Sequence, residues 1–299
     1  MTLHLENSRS TRAFRPATAI AAEIMAITTL VRTPRPPAEG PWLHVSADRY
    51  ASFRVPAAYL QAALGEVSQV VVAGNFGPSA TWAEFGLTRT GDVLSGVLGP
   101  LRPGLYHYQV TADDTKHLKD PTNDTRVAAH PCWSTFLVPG EPGDAANLLV
   151  DVPPGQGGTV ETLVYRTGGR ERSALVWTPP GYPAQDTTAY PVLILCAEDG
   201  GSATDWLDLG RAGQILDNLS ARGEMAPMVV VFGDGGGPDA ADADRELADL
   251  RRAVADRYRV HRDPAYQAIA GVAGGGIRAL RAALAAPGRF GYVGSFSGL

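Results

Sequence analysis

Near the end of the chain, Gly271-Val272-Ala273-Gly274-Gly275 has the spacing of an acyl-transfer site without the atom that would attack. A short apolar run, Ala268 to Ala270, leads into these glycines, and a helical pattern with Ile277, Leu280 and Leu284 on one face leads out. Strand, tight turn and helix is the arrangement that exposes a serine hydroxyl in a Gly-x-Ser-x-Gly nucleophile elbow. Glycines are needed there because the turn is strained and the helix and strand nearly touch. Position 273 carries a methyl group instead. Two other readings fit the stretch locally: a phosphate-binding turn, whose Gly-x-Gly-x-x-Gly spacing it fails, and a structural turn without chemistry.

Other nucleophiles are present. Ser202, Ser295 and Ser297 carry hydroxyls and Cys196 ends an expected central strand. None has a base predicted within reach, and an unactivated hydroxyl attacks poorly. The six histidines are scattered, without the paired spacing of a metal site. His107 and His117 read as ordinary surface residues. Cys132 and Cys196 fall in different expected domains, so they read as small apolar side chains rather than a disulfide or a metal pair. The acidic run from Gly233 to Asp244 fits no calcium-loop spacing and reads as a solvated loop. No metal and no cofactor is expected.

Composition narrows the partners. A net charge of −5 carries no basic surplus, which argues against nucleic acid and against an anionic membrane surface. No run reaches the roughly 18 apolar residues of a membrane span. The apolar stretch Ala19 to Val31 is interrupted by Glu23 and lacks a small-residue cleavage site, so a cytoplasmic protein is the expectation.

The elements that must position these residues fall into three parts. Residues 1–39, ending in Pro34-Arg-Pro-Pro37, read as an irregular tail with one short helix around Ile20 to Leu30. Residues 40–150 read as all-β, with strands expected at 68–73, 93–98, 105–111 and 134–138. In the third of these, Tyr106, Tyr108 and Val110 alternate with Leu105, His107 and Gln109, which places the first set on the core face. Trp82 and Trp133 could form a sugar-stacking platform, but aromatic residues dominate sandwich cores and a core position is expected. Val150 to Gly158 reads as a linker. Over 151–299, strands at 160–166, 173–178, 190–196, 228–233, 266–270 and 291–296 alternate with amphipathic helices around 212–219 and 247–258. Apolar strands alternating with helices imply a mostly parallel sheet covered on both faces.

The phrases Val176-Trp-Thr-Pro-Pro-Gly-Tyr182, Tyr190-Pro-Val-Leu-Ile-Leu195, Ile215-Leu-Asp-Asn-Leu219, Pro227-Met-Val-Val-Val231 and Phe290-Gly-Tyr-Val-Gly-Ser-Phe-Ser-Gly298 stand in order along the second half. Together they resemble the α/β-hydrolase esterases that include enterochelin esterases and feruloyl or acetyl-xylan esterases. Val70-Val-Val-Ala-Gly-Asn-Phe76, Pro103-Gly-Leu-Tyr-His-Tyr-Gln-Val110 and Lys119-Asp-Pro-Thr-Asn123 resemble an early-set immunoglobulin-like domain of the kind placed before such enzymes. The resemblance implies that Ala273 holds the nucleophile position. It also implies that Gly271, Val272 and Gly274, with Gly200 and Gly201 of Ala197-Glu-Asp-Gly-Gly-Ser202, lie at the elbow and oxyanion hole.

Two carboxylates then stand beside a site that must stabilise negative charge. The family's acid and histidine positions follow later strands, beyond Leu299, and His261 does not match the histidine. The expected function is therefore a carboxylic-ester hydrolase without catalysis, whether by natural loss or by engineering. A non-catalytic ligand- or glycan-binding or regulatory module is the alternative, and an active hydrolase with another nucleophile the third reading. The expected ligand is a small-molecule ester, either a siderophore or a sugar ester. The strand at 291–296 is expected at a sheet edge, where unpaired backbone invites self-association.

Overall fold

The computed structural model describes residues 40–182, 189–235 and 240–298. The expectations for the tail at 1–39 lie outside these residues, as does part of the acidic run.

The first half is built from short antiparallel strands. β1 (Leu43–Val45), β2 (Ala51–Pro56), β5 (Thr88–Thr90) and β6 (Val93–Leu98) form one sheet in the order β1-β2-β6-β5. β3 (Val70–Gly74), β4 (Ala83–Gly86), β7 (Gly104–Ala112) and β8 (Lys116–Leu118) form a second, and β9 (Ser134–Val138) pairs with β7. A single helix, α1 (Ala57–Leu64), follows β2.

The two sheets share their cores. Phe53 of β2 meets Tyr108 of β7 edge-on at 5.4 Å, and Tyr108 and Val110 are fully buried, as their alternation predicts. The Tyr108 hydroxyl donates to Asp120 (2.7 Å), a carboxylate 1% exposed that also accepts from the Thr122 amide (2.8 Å). Asn123 reaches across to the Thr135 carbonyl at 2.8 Å. The Lys119–Asn123 phrase thus supplies the polar partners that a buried tyrosine needs.

The second half is one six-stranded sheet. β10 (Thr159–Thr167) and β11 (Arg170–Thr178) form a hairpin closed by Gly168 and Gly169, both at positive φ as a two-residue turn requires. β12 (Val192–Cys196), β13 (Val229–Gly233), β14 (Gln267–Val272) and β15 (Tyr292–Phe296) complete the order β10-β11-β13-β12-β14-β15. The last four are mutually parallel, and β11 joins β13 antiparallel. The sheet is therefore mixed, with an antiparallel pair at one side.

Alternate residues of each strand supply opposite faces. Ile194, Val231 and Ile269 pack under α4 (Ala240–Arg257) and α5 (Gly274–Ala285) through Leu250, Val254, Ala279 and Ala282. Leu195, Val230, Phe232 and Ala270 pack under α2 (Ala203–Asp208) and α3 (Ala212–Ala221) through Ala203, Ala212 and Leu216. α3 also straps down the linker. Asn218 donates to the carbonyls of Leu148 (3.1 Å) and Val150 (2.7 Å), and Arg211 donates to the Leu149 carbonyl and to Asp151, both at 2.7 Å.

Candidate active site

The strand order sets the location. From β12 the chain leaves toward α2 on one face, and from its neighbour β14 it leaves toward α5 on the other. Adjacent parallel strands whose loops diverge open a crevice at their carboxyl ends, where α/β sheets bind ligands. The two loops at this crevice are Ala197–Ser202 and Ala273–Gly276.

The turn after β14 has the backbone of an elbow. Ala273 sits at φ 46°, ψ −120°, its amide donates to the Phe296 carbonyl at 2.8 Å, and the Gly276 and Ile277 amides reach back to its own carbonyl at 2.9 and 3.2 Å. A non-glycine residue held there stores about 1–3 kcal/mol of strain. Gly271 and Gly275 let strand and helix close up: a Cβ on Gly271 would lie 2.3 Å from the Gly275 carbonyl. The strained turn is present and the hydroxyl is not. Ala273→Gly removes that strain at a cost of about 0.5–1 kcal/mol in unfolded-chain entropy. It should therefore raise stability by about 1 kcal/mol in urea titration; an unchanged or lower midpoint would show the turn to be unstrained.

Gly274 and Gly275 open α5, and among the described residues their amides have no acceptor, as expected of a helix's first turn. Asp199 occupies the space in front of them: a Cβ on Gly274 would fall 2.3 Å from its carboxylate. The Glu198 side chain lies against Gly201 instead. Of the two carboxylates expected here, Asp199 alone lies against the elbow. An aspartate at a helix N-terminus gains about 0.3–1 kcal/mol from the dipole, and it sets negative charge against the first turn of α5.

The sequence-predicted residues therefore divide. Gly271, Val272, Ala273 and Gly274 come together with the Asp199-Gly200-Gly201 turn, in which Gly200 has φ +78°. Ser202 is engaged in starting α2: its amide donates to Asp205 (2.8 Å) and its hydroxyl meets Thr204 (2.6 Å). The Ser295 hydroxyl is buried without a partner among the described residues, packed toward Gly276, and Ser297 is exposed. Burial pushes the Cys196 thiol up. His261 stacks on Tyr266 at 4.1 Å, before the first residue of β14, while the elbow follows its last. A strand of that length spans roughly 20 Å, which removes His261 from the site.

Two expectations are corrected in the first half. Trp82 does not enter the sandwich core. It is 43% exposed beside the edge strand β4, stacked on Trp133 at 4.7 Å, and Trp133 stacks in turn on His130 at 3.7 Å. An edge strand offers no second sheet to bury it. His107 is not a surface histidine either: it lies half-buried near Trp133, and its Nδ1 is buried without a partner among the described residues. His117 is exposed, as expected.

Desolvation lowers both His107 and His130 from 6.5, with the Glu198 and Asp205 carboxylates partly opposing it at His130. The unfolded chain then takes up protons first as pH falls. This contribution is complete above about 6.5 and is lost as pH drops toward the folded-state values. The first half should unfold at lower urea at pH 5 than at pH 7.5, and His107→Gln should flatten the difference. A midpoint that does not move over that range would contradict the account.

Sequence reading missed Arg278. It lies on α5, and its Nη2 donates to the Ala197 carbonyl at 2.5 Å, tying the helix to the loop after β12. Its only signal is that it is one of two cations, with Arg281, in a helical stretch otherwise made of glycine and apolar residues.

Residues 166–299 match the family model named Esterase. The chain is 28% identical over 268 residues to an endo-1,4-β-xylanase/feruloyl esterase of Xylanibacter ruminicola, an alignment covering 85% of this chain and 36% of that protein. It is 29% identical over 161 residues to an uncharacterized protein of Corynebacterium glutamicum, covering 50% of this chain and 37% of that one. The chain thus spans little more than a third of these relatives. Among solved structures, the enterobactin esterase of Shigella flexneri in the presence of 2,3-dihydroxy-N-benzoyl-glycine aligns with TM-score 0.60 and 17% identity, over 86% of this chain and 72% of that one. The same esterase in the presence of enterobactin aligns with TM-score 0.55 and 18% identity, over 86% of this chain and 73% of that one. At these identities the likeness is one of fold.

Proposed function

We propose, from the match of residues 166–299 to the family model named Esterase, that this chain is a carboxylic-ester hydrolase scaffold from which acyl transfer has been removed at Ala273. The observation that carries the reading is the elbow itself: Ala273 holds the strained φ 46°, ψ −120° geometry while offering a methyl group. Asp199 against Gly274 supports it, since a carboxylate standing there opposes a tetrahedral oxyanion. A fluorophosphonate probe, which labels activated serines, should leave the chain unmodified. A stoichiometric adduct on any serine would overturn the proposal.

A second reading, a ligand- or glycan-binding module, is favoured by Trp82, 43% exposed where it stacks on Trp133, an aromatic side chain of the kind that takes flat rings. We assign the two N-terminal sheets to the early-set immunoglobulin-like class, with the division near residue 150, on the antiparallel pairing and the shared cores. The ligand proposed for the scaffold is a small ester. The aromatic ligand of the Shigella flexneri structure and the name of the Xylanibacter ruminicola relative both accord with that class.

Self-association is proposed through β15, which ends the sheet with Tyr292, Val293 and Phe296 exposed. Light scattering should report a mass above the monomer that falls in Val293→Lys. A monomer at all concentrations would reject it.

A further inference from the structure

Between α4 and α5, on the sheet face away from α2, a groove of about 310 Å³ runs beside the crevice. Leu247 and Leu250 form one wall, Ala282 and Ala285 the other, and Ile194 and Ile269 the floor. Ala273 is not among its lining residues, so it is a separate space from the elbow. Leu284, 78% exposed, stands at its edge. A groove of this size is at the small end of ligand pockets, which begin at about 300 Å³.

Its charges are not equivalent. Three carboxylates line it, and two of them are occupied. Asp234 accepts from the Ala203 amide at 2.9 Å, and Glu246 accepts from the Tyr165 hydroxyl at 3.0 Å while Arg172 lies 3.5 Å away. The third, Asp244, is exposed to solvent. On the opposite wall, Arg278 meets a single acceptor among the described residues, the Ala197 carbonyl. Arg281, one turn on along the same wall, meets none among them. A partly buried guanidinium with spare N–H donors at an apolar groove suits a carboxylate, which it can bind bidentately.

We propose that this groove is a second ligand site, taking a small monocarboxylate whose apolar body lies between α4 and α5 and whose charge pairs with Arg278, assisted by Arg281. The site requires no acyl chemistry. Hydrolysis by the chain would sink the reading of Ala273 and leave this proposal standing, and the reverse also holds.

The chain carries its own reporter. Its two cysteines are free: Cys196 lines the groove and Cys132 lies in the first half. Alkylation by N-ethylmaleimide, read at each cysteine by peptide mass spectrometry, should be slowed at least about threefold at Cys196 by 4-phenylbutyrate, with Cys132 unchanged. The alcohol 4-phenylbutanol, which has the same body without the charge, should protect far less. Arg278→Gln should abolish the difference between acid and alcohol. Because Arg278 also ties α5 to Ala197, Ala285→Trp at the exposed rim provides a second variant, which should block protection while its circular dichroism remains native. The proposal is overturned by no protection of Cys196 at 10 mM 4-phenylbutyrate, by equal protection of both cysteines, by equal protection from the alcohol, or by full protection surviving in Ala285→Trp.

Discussion

Neither this chain nor its Ala273→Ser variant is expected to release nitrophenol from p-nitrophenyl acetate faster than an albumin control. For the native sequence the reason is atomic: a methyl group cannot form an acyl-enzyme. An enzyme that loses a triad member keeps only the roughly 10³–10⁴-fold acceleration over water due to binding and oxyanion contacts. Here Asp199 opposes even the oxyanion contacts.

Restoring the hydroxyl supplies the nucleophile without its base. A serine at 273 needs an imidazole within hydrogen-bond reach, oriented by a third group. His261 lies at the other end of β14, stacked on Tyr266. His130 is held face to face on Trp133 at 3.7 Å. His107 and His117 belong to the first half, where His107 lies near Trp133 and His117 bonds Gln109. An initial burst from Ala273→Ser, with phosphonate label on residue 273, would show that some group does serve as base and that the site is only one substitution from activity. Asp199→Asn, added to Ala273→Ser, then separates the two obstacles: a gain on the second change alone would identify the carboxylate as the dominant one.

Much of the fold was legible because its signals are periodic. Strands at 93–98 and 134–138 were placed to the residue, and the alternation in Gly104–Ala112 assigned Tyr108 and Val110 to the core correctly. The strand, tight turn and helix around Ala273 were legible because the glycines stand at fixed offsets around one position. What stayed hidden depends on pairing between distant segments. The antiparallel attachment of β11 to β13 makes the sheet mixed, and no local pattern in Arg170–Thr178 distinguishes a parallel from an antiparallel neighbour.

Trp82 was expected inside because aromatic residues usually are. Its exposure follows from the edge position of β4, which pairs with β3 on one side and with no strand of the described residues on the other. His107 was expected at the surface because its strand alternation points it away from the core. Trp133, from the segment before β9, lies over it there, a contact that strand alternation alone does not reveal. Likewise the pair Glu198-Asp199 reads as two equivalent acids in sequence, and only the direction of the turn selects Asp199 for the elbow.

Gly275→Ala should be among the most damaging single-methyl changes in the second half, whereas Gly274→Ala, its immediate neighbour, should be tolerated. Helix propensity favours both changes by about 1 kcal/mol, since alanine outranks glycine in a helix. Packing separates them. A Cβ on Gly275 would lie 2.3 Å from the Cys196 carbonyl and 2.4 Å from the Ala197 carbonyl, both backbone atoms at the end of β12. Those atoms cannot retreat without pulling β12 off β14, which it pairs from Val192 to Cys196.

A Cβ on Gly274 would meet first the Asp199 carboxylate, an exposed side chain free to rotate away. Overpacking against fixed backbone costs about 1–3 kcal/mol and more when nothing can shift. Gly275→Ala is therefore expected to lose about 2 kcal/mol net and Gly274→Ala less than about 1. Hydrogen exchange of the β12 and β14 amides in mild urea measures this locally, and avoids treating a two-part chain as one unfolding unit. Equal losses at the two glycines would mean that the helix does not press on the strand as closely as the elbow geometry requires, and the reading of Ala273 as a vacated nucleophile position would lose its structural basis.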